Sequence, residues 1–161
     1  MRLRSGLVAA AFALAAMAVL GTGAAVAQTT ELRLANSGQP PTLDPHFTNS
    51  GITSEISRNV YETLLTLDAN RQIRPGLASS WEESDDGRTF RFTLREGVTF
   101  HNGEPLTVDD VIASLERWAR LSIPGKQSFS EAKWTAIDDR TIELQVPQAS
   151  YKILYALANF E

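Results

Sequence analysis

Cysteine is absent from this sequence of 161 residues, and that absence excludes several kinds of structure and site. A chain without thiols has no disulfides, no cysteine nucleophile and no thiolate zinc site. It also lacks the cysteine at which a lipoprotein is cleaved and anchored. Its structure and function must therefore depend on other side chains.

Positive charge is also scarce. The chain has 15 Lys and Arg residues against 19 Asp and Glu residues, which leaves a formal net charge of −4. Proteins that coat nucleic acids need an excess of basic residues, because these residues neutralise the phosphates. We therefore expect no nucleic-acid partner.

The usual signatures of enzyme active sites are missing as well. The sequence has no G-x-S-x-G nucleophile elbow and no glycine-rich loop that joins a strand to a helix. Its two histidines, His46 and His101, lack the spacing of a zinc-binding pair. His101 lies at a turn signal and is interpreted as structural. Because nothing assembles a nucleophile, a base and an oxyanion site, we predict no enzymatic activity and no cofactor.

The longest apolar run covers 14 residues, 7–20, and lies between two arginines and the small residues A-V-A at 25–27. A helix of that length covers about 21 Å, which is short of the roughly 30 Å hydrocarbon core of a membrane. This arrangement is typical of a signal peptide. We therefore predict a signal peptide at 1–27, cleaved after Ala27, and a mature chain at 28–161 that is exported and not inserted in the membrane.

Three helices and a short first strand are predicted in the mature chain. The strand covers 31–35. Apolar residues at every fourth position indicate a first helix of about 14 residues, capped by Asn49 or Ser50. The stripe consists of Ile52, Ile56, Val60 and Leu64, with Tyr61 and Leu65 beside it.

The second helix begins at a variant capping box formed by Thr107 and Asp110. Its buried stripe comprises Val108, Val111, Ile112, Leu115 and Trp118 or Ala119. Basic residues Arg117 and Arg120 mark its last turn, and P-G at 124–125 is expected to end it. A third helix starts near Ala149. Its predicted inner side comprises Tyr151, Leu154, Tyr155 and Ala158. No stop signal follows this helix, so we expect the chain to be a piece of a longer one.

Two hairpins are indicated by alternating apolar residues around turn signals. The first runs from Trp81 through D-D-G at 85–87 to Leu94, and its alternation continues to Val98 and Phe100. Asn102 and Gly103 then turn the chain. The second hairpin covers 134–146, with its turn at 138–139. The three tryptophans are expected to pack in the core. Together these patterns predict an α/β chain of mixed α+β character.

A series of motifs in a fixed order resembles the extracellular solute-binding proteins of ABC transporters, family 5, which bind dipeptides, oligopeptides and nickel complexes. The motifs are T-L-D-P-H at 42–46, Y-E-T-L-L at 61–65, P-G-L-A-S-S-W at 75–81, S-D-D-G-R-T-F at 84–90, F-T-L-R-E-G-V-T-F-H-N-G-E-P-L-T at 92–107 and D-D-V at 109–111. The stretch 100–111 is the most specific part. The resemblance covers about 42–160, which is nearly the whole mature chain.

The resemblance implies a two-lobed periplasmic-binding-protein type II fold, of which this chain would be the N-terminal portion together with much of an inserted accessory domain. It implies a monomeric periplasmic protein that captures a peptide or other small molecule and delivers it to ABC transporter permease subunits. In the family, the residues that anchor the peptide termini lie in later segments. No residue of this chain therefore inherits those roles.

The same resemblance identifies the loop after Pro45 as part of the ligand cleft. The expected ligand-binding residues are His46, Phe47, Thr48, Asn49 and Thr53. Nickel-complex binders of the family carry an aromatic residue and a methionine in this loop. Thr48 and Thr53 are found here instead, which favours peptides over nickel. A proline-stiffened loop that leads to a helix N-terminus also suits a carboxylate or a carbonyl group.

The sequence leaves three alternatives to a peptide-binding component. The first is a secreted hydrolase whose catalytic residues lie beyond Glu161. The second is a binding protein for nickel complexes or other small solutes. The third is a scaffold or sensor that reuses the fold without transport.

Overall fold

Alternation along one strand places Phe90, Phe92 and Leu94 on a single face, and all three side chains are buried. The computed structural model describes residues 38–47 and 50–159. The predicted strand at 31–35 and the cleavage point after Ala27 lie outside these residues.

Four helices and six strands are formed by the described residues. In chain order they are α1 (Gly51–Ser57), β1 (Leu65–Leu67), β2 (Ile73–Pro75), β3 (Ala78–Glu83), β4 (Thr89–Leu94), α2 (Val108–Leu121), α3 (Ile123–Phe129), β5 (Lys133–Ala136), β6 (Thr141–Gln145) and α4 (Lys152–Ala158). None of the helices within 38–47 and 50–159 has the length and apolar character that a membrane crossing requires.

The main sheet is antiparallel, with the strand order β3-β4-β6-β5. Both predicted hairpins are confirmed, and the pairing of β4 with β6 joins them into one sheet. Phe90 lies opposite Leu144, and Phe92 lies opposite Ile142. Since directly opposed residues share a face, these four buried side chains form a continuous apolar layer.

Helix α2 packs on β5 and β6 of this sheet and on α3. Its predicted capping box is confirmed: Thr107 Oγ1 accepts from the Asp110 N–H at 3.2 Å, and Asp110 Oδ2 accepts from the Thr107 N–H at 3.0 Å. Trp118 of α2 packs against Phe129 of α3, with ring centroids 5.2 Å apart. Phe129 in turn lies 6.0 Å from Trp134 of β5. The predicted core role of Trp118 and Trp134 is therefore confirmed.

The first helix is shorter than the predicted 14 residues. It ends at Ser57, because the chain that follows is needed for sheet pairing: Leu65 begins β1 and lies opposite Pro75. Thr53 and Ser57 are the buried residues of α1, and Val60 is exposed. Ser50 precedes the helix without a side-chain cap. The periodicity over Ile52–Leu64 therefore predicted a helix that is too long.

One further boundary differs from the predictions. The alternation does not reach Phe100, which is 43% exposed at the start of a turn that Gly103 closes with a positive φ of 89°. The predicted end of the second helix is confirmed: α2 ends at Leu121, with Arg120 in its last turn and Pro124 beyond it. Pro124 then lies in the first turn of α3, where its missing N–H is not needed. Ser122 caps α3 by accepting from the Gly125 N–H at 2.8 Å.

The last helix buries only part of the predicted face: Ala158 is buried and Leu154 is half-buried against the core. Ile153 and Leu157 are buried, and α4 packs on the β1–β2 hairpin and on α3. Tyr151 and Tyr155, expected on the inner side, are 81% and 44% exposed. The side chains that pack in the core therefore include Ile153 and Leu157, an aliphatic i, i+4 pair, and not the two tyrosines.

Gly76 lies between β2 and β3, where two backbone segments approach closely. The N–H groups of Leu77 and Ala78 donate to the carbonyls of Thr63 and Leu64 at 3.0 and 2.9 Å. A Cβ atom on residue 76 would lie 2.5 Å from the Thr63 carbonyl oxygen. Glycine is therefore required in the P-G-L-A segment.

We predict that Gly76→Ala destabilises the protein by about 1–3 kcal/mol, because the methyl group forces two backbone segments apart. The free energy of unfolding, measured by urea denaturation with tryptophan fluorescence, tests this. Gly51→Ala is the matched control, since a Cβ there meets no atom within 4 Å. Equal stability of the two variants would contradict the prediction.

Candidate functional site

The loop 42–47 is organised by its own polar side chains. Thr42 Oγ1 accepts from the Asp44 N–H at 3.0 Å, and Asp44 Oδ1 accepts from the His46 N–H at 3.0 Å. Pro45 between them fixes its own φ angle. The Thr53 hydroxyl of α1 donates to the Thr42 carbonyl at 2.9 Å. The loop therefore has a defined shape and is tied to α1.

A salt bridge fastens the same loop to α2. Arg117 Nη1 donates to Asp44 Oδ1 at 2.9 Å, and Arg117 Nη2 donates to Asp44 Oδ2 at 2.5 Å. This two-pronged geometry uses the planar guanidinium and fixes direction as well as distance. The hydrogen bond from Arg117 is the main reason that the pKa of Asp44 falls from 3.8 to about 2. Asp44 is therefore ionised at neutral pH.

His46 is the third member of this cluster. Its Nδ1 lies 3.0 Å from Arg117 Nη1. Because a guanidinium only donates hydrogen bonds, Nδ1 must accept, and the neutral ring carries its proton on Nε2. Burial, assisted by the Arg117 charge, lowers the pKa of His46, while Asp44 opposes the shift. His46 is thus a neutral imidazole at physiological pH. We call Asp44, His46 and Arg117 the loop cluster.

Two adjoining cavities border the loop cluster. One, of about 450 Å³, has a mainly apolar wall that includes Leu64, Leu106, Val111 and Trp118. The other, of about 410 Å³, is more polar and is lined by Asp44 and Arg117, among others. Residues of both linings are Pro45, His46, Tyr61 and Ser114. Among residues 38–47 and 50–159, no three His, Asp or Glu side chains converge in a way that could hold a metal ion.

The residues expected to bind ligand occupy different environments. His46 lines both cavities. Phe47 is 72% exposed beside it, and Thr53 is buried, with its hydroxyl engaged by Thr42. Thr48 and Asn49 lie outside the described residues. That these five residues contact a ligand stays a prediction. Thr53 is placed to support the loop through its hydrogen bond to Thr42.

Sequence reasoning assigned no site role to Asp44 or Arg117. Arg117 was interpreted as a basic residue in the last turn of the second helix. Its partner, Asp44, lies 73 positions away in the sequence. A signal was present: Asp110, Ser114 and Arg117 follow one another at helical spacing. They form a polar stripe beside the buried residues Val111 and Trp118.

Comparison with known proteins gives a consistent group of relatives. Residues 72–161 match the family described as bacterial extracellular solute-binding proteins, family 5 Middle. The probable peptide ABC transporter periplasmic-binding protein y4tO of Sinorhizobium fredii is 34% identical over 146 residues, which cover 90% of this chain and 27% of that protein. The glutathione-binding protein GsiB of Escherichia coli K12 is 31% identical over 97% of this chain and 30% of that protein.

The fold of this chain also matches part of a solved structure. The PBP AgaA of A. tumefaciens R10, in complex with agropinic acid, superposes with a TM-score of 0.67 at 32% identity, over 76% of this chain and 26% of that one. The mixed α+β fold of a solute-binding protein is therefore confirmed. The chain spans about a quarter to a third of the length of these relatives.

We predict that Asp44→Asn lowers stability at pH 7 and makes stability less sensitive to acid. A carboxylate whose pKa falls from 3.8 to about 2 stabilises the fold above pH 4, and that contribution is lost as the pH falls through about 2. The difference in urea midpoint between wild type and Asp44→Asn should therefore be present at pH 7 and shrink steadily as the pH falls from 4 towards about 2.

Asp85→Asn, which removes an exposed carboxylate from the β3–β4 turn, serves as the control for the change in net charge. A midpoint difference for Asp44→Asn that is the same at both pH values, or that matches the control at pH 7, would show that the ion pair does not stabilise the fold.

Proposed function

The chain belongs to the bacterial extracellular solute-binding proteins of family 5, and we propose that it is part of the substrate-capturing component of an ABC importer for short peptides. The observation that carries this proposal is the similarity to y4tO and GsiB over 90% and 97% of the chain. One is named for peptide transport and the other for glutathione, which is itself a tripeptide. A peptide ligand is therefore the simplest substrate class that accounts for both names.

The geometry beside the loop cluster suits such a ligand. A cavity of about 450 Å³ falls within the range that small ligands occupy, and its wall combines apolar side chains with a few polar groups. Apolar walls accommodate varied peptide side chains. Hydrogen-bonding groups at the edge of the cavity hold the peptide main chain, which all peptides share.

The remaining features of the proposal are supported by the family resemblance and by the sequence pattern at 1–27. We propose a monomeric periplasmic protein, released from its signal peptide at 1–27, that delivers the ligand to membrane permease subunits. The Asp44–Arg117 pair keeps the loop at 42–47 in place while the ligand binds and leaves. In this proposal the protein binds its ligand and does no chemistry on it.

The direct test is ligand-dependent thermal stability of the mature product of the full gene. The panel comprises di-, tri- and oligopeptides, glutathione, opines, sugars, haem and nickel–histidine. A ligand that binds only the native state raises stability by about 2.7 kcal/mol at a hundredfold excess over Kd. We expect a rise in Tm with short peptides.

Two results would overturn the peptide proposal. A shift with an opine or nickel–histidine alone would assign a different solute to the same fold. No shift with any ligand, together with turnover of a chromogenic ester or amide, would favour the secreted hydrolase.

We also predict that the exported protein begins at Gln28. Small residues at 25 and 27 are the pattern that signal peptidase recognises. Expression in a Gram-negative host, osmotic shock and N-terminal sequencing test this prediction, with Ala27→Arg as a variant that should slow cleavage. Recovery of a membrane-bound form that still carries Met1 from the wild-type protein would contradict it.

A further inference from the structure

We propose that Arg117 is a positioning residue, which holds the His46 ring so that its Nε2–H is offered as an uncharged donor to a main-chain carbonyl of the bound peptide. This inference rests on the proposed function for its ligand. Its first half, the orientation of His46 by Arg117, concerns the protein without ligand and can be tested separately.

The orientation of Arg117 is itself determined by Asp44. Both terminal nitrogens of the guanidinium bond to the two carboxylate oxygens, at 2.9 and 2.5 Å. With the planar group held in this way, the contact of Nη1 with His46 Nδ1 at 3.0 Å has a set direction. The backbone adds a second constraint, because the His46 N–H donates to Asp44 Oδ1. Ring and backbone of His46 are thus both tied to the same ion pair.

The donor that results is neutral. Asp44 and Arg117 cancel each other's charge, and a protonated His46 could not accept from Arg117. The ionisable groups that line the more polar cavity together with His46 are Asp44, Tyr61 and Arg117. Glu62, His101 and Asp110 line the apolar cavity, which His46 also borders.

An uncharged N–H donor fits a peptide carbonyl better than a charged ligand group. It forms a hydrogen bond to an oxygen that every peptide has, without favouring ligands of one charge. His46 would therefore contribute to affinity for the main chain and leave side-chain preference to the apolar cavity wall. A purely structural role for the loop cluster predicts no such effect on ligand affinity.

The test compares four variants of the full mature protein with trialanine as the probe, because this peptide has no hydrogen-bonding side chains. His46→Phe removes the donor and should weaken binding about 2- to 12-fold, the value of one hydrogen bond. His46→Gln restores an N–H donor and should bind more tightly than His46→Phe. Arg117→Met should weaken binding in the same range. Arg120→Met, an exposed arginine on the same helix, is the matched control and should bind as wild type.

A spectroscopic readout separates positioning from general stability. In protein labelled with 15N-histidine, the His46 signals are assigned by their absence in His46→Gln. In the unliganded wild type we expect a protonated Nε2 and an accepting Nδ1. Arg117→Met should move the Nδ1 signal and raise the pH at which His46 titrates, and Arg120→Met should change neither.

Each contrary result has a distinct meaning. A proton on Nδ1 in the wild type, or an unchanged His46 spectrum in Arg117→Met, overturns the positioning role. Equal trialanine affinity of His46→Phe and wild type overturns the donor role. If the wild type binds no short peptide, trialanine included, the donor role and the short-peptide proposal both fail, and the spectra then show whether Arg117 still orients the ring.

Discussion

The pairing of β4 with both β3 and β6 is the constraint on which the rest of the described structure depends. It brings two hairpins into one sheet and places Phe90 and Phe92 beside Leu144 and Ile142. The apolar layer formed in this way is what α2 packs against, with Trp118 resting on Phe129 and Phe129 on Trp134. Once α2 is held there, its polar stripe lies beside the loop at 42–47.

The loop cluster is therefore a product of the fold as much as of its own residues. Asp44 shapes the loop through local hydrogen bonds, but its partner Arg117 lies on α2, whose position is determined by packing in the core. A partly exposed ion pair contributes modestly to stability, about 0.2–1 kcal/mol in typical cases. The effect of this pair is to fix an orientation. A planar guanidinium held by a carboxylate can orient a third side chain, His46, at the edge of two cavities.

Features of the structure that depend on neighbouring residues could be predicted from the sequence. The alternation around D-D-G at 85–87 and the capping box of Thr107 and Asp110 were correctly interpreted, since turns and caps are local interactions. The extent of the first helix could not be predicted. Its periodicity continues to Leu64, but the carbonyls of Thr63 and Leu64 accept from Leu77 and Ala78 instead. Contacts over such separations leave no local pattern. The polar stripe of α2 marks Arg117, but it does not identify a partner 73 positions away, so the Asp44–Arg117 pair was missed.

The order of the strands also has a consequence for how the chain folds. The β4–β6 ladder joins residues such as Arg91 and Glu143, which are 52 positions apart, with α2, α3 and β5 between them. Closing a loop of that length costs chain entropy that the pairing must offset, and non-local pairing of this kind is intrinsically slow. Until β6 arrives, Phe90 and Phe92 have no cross-strand partners on that side. Until that pairing is made, this side of β4 is an open edge with unpaired backbone groups, available to any other unpaired strand.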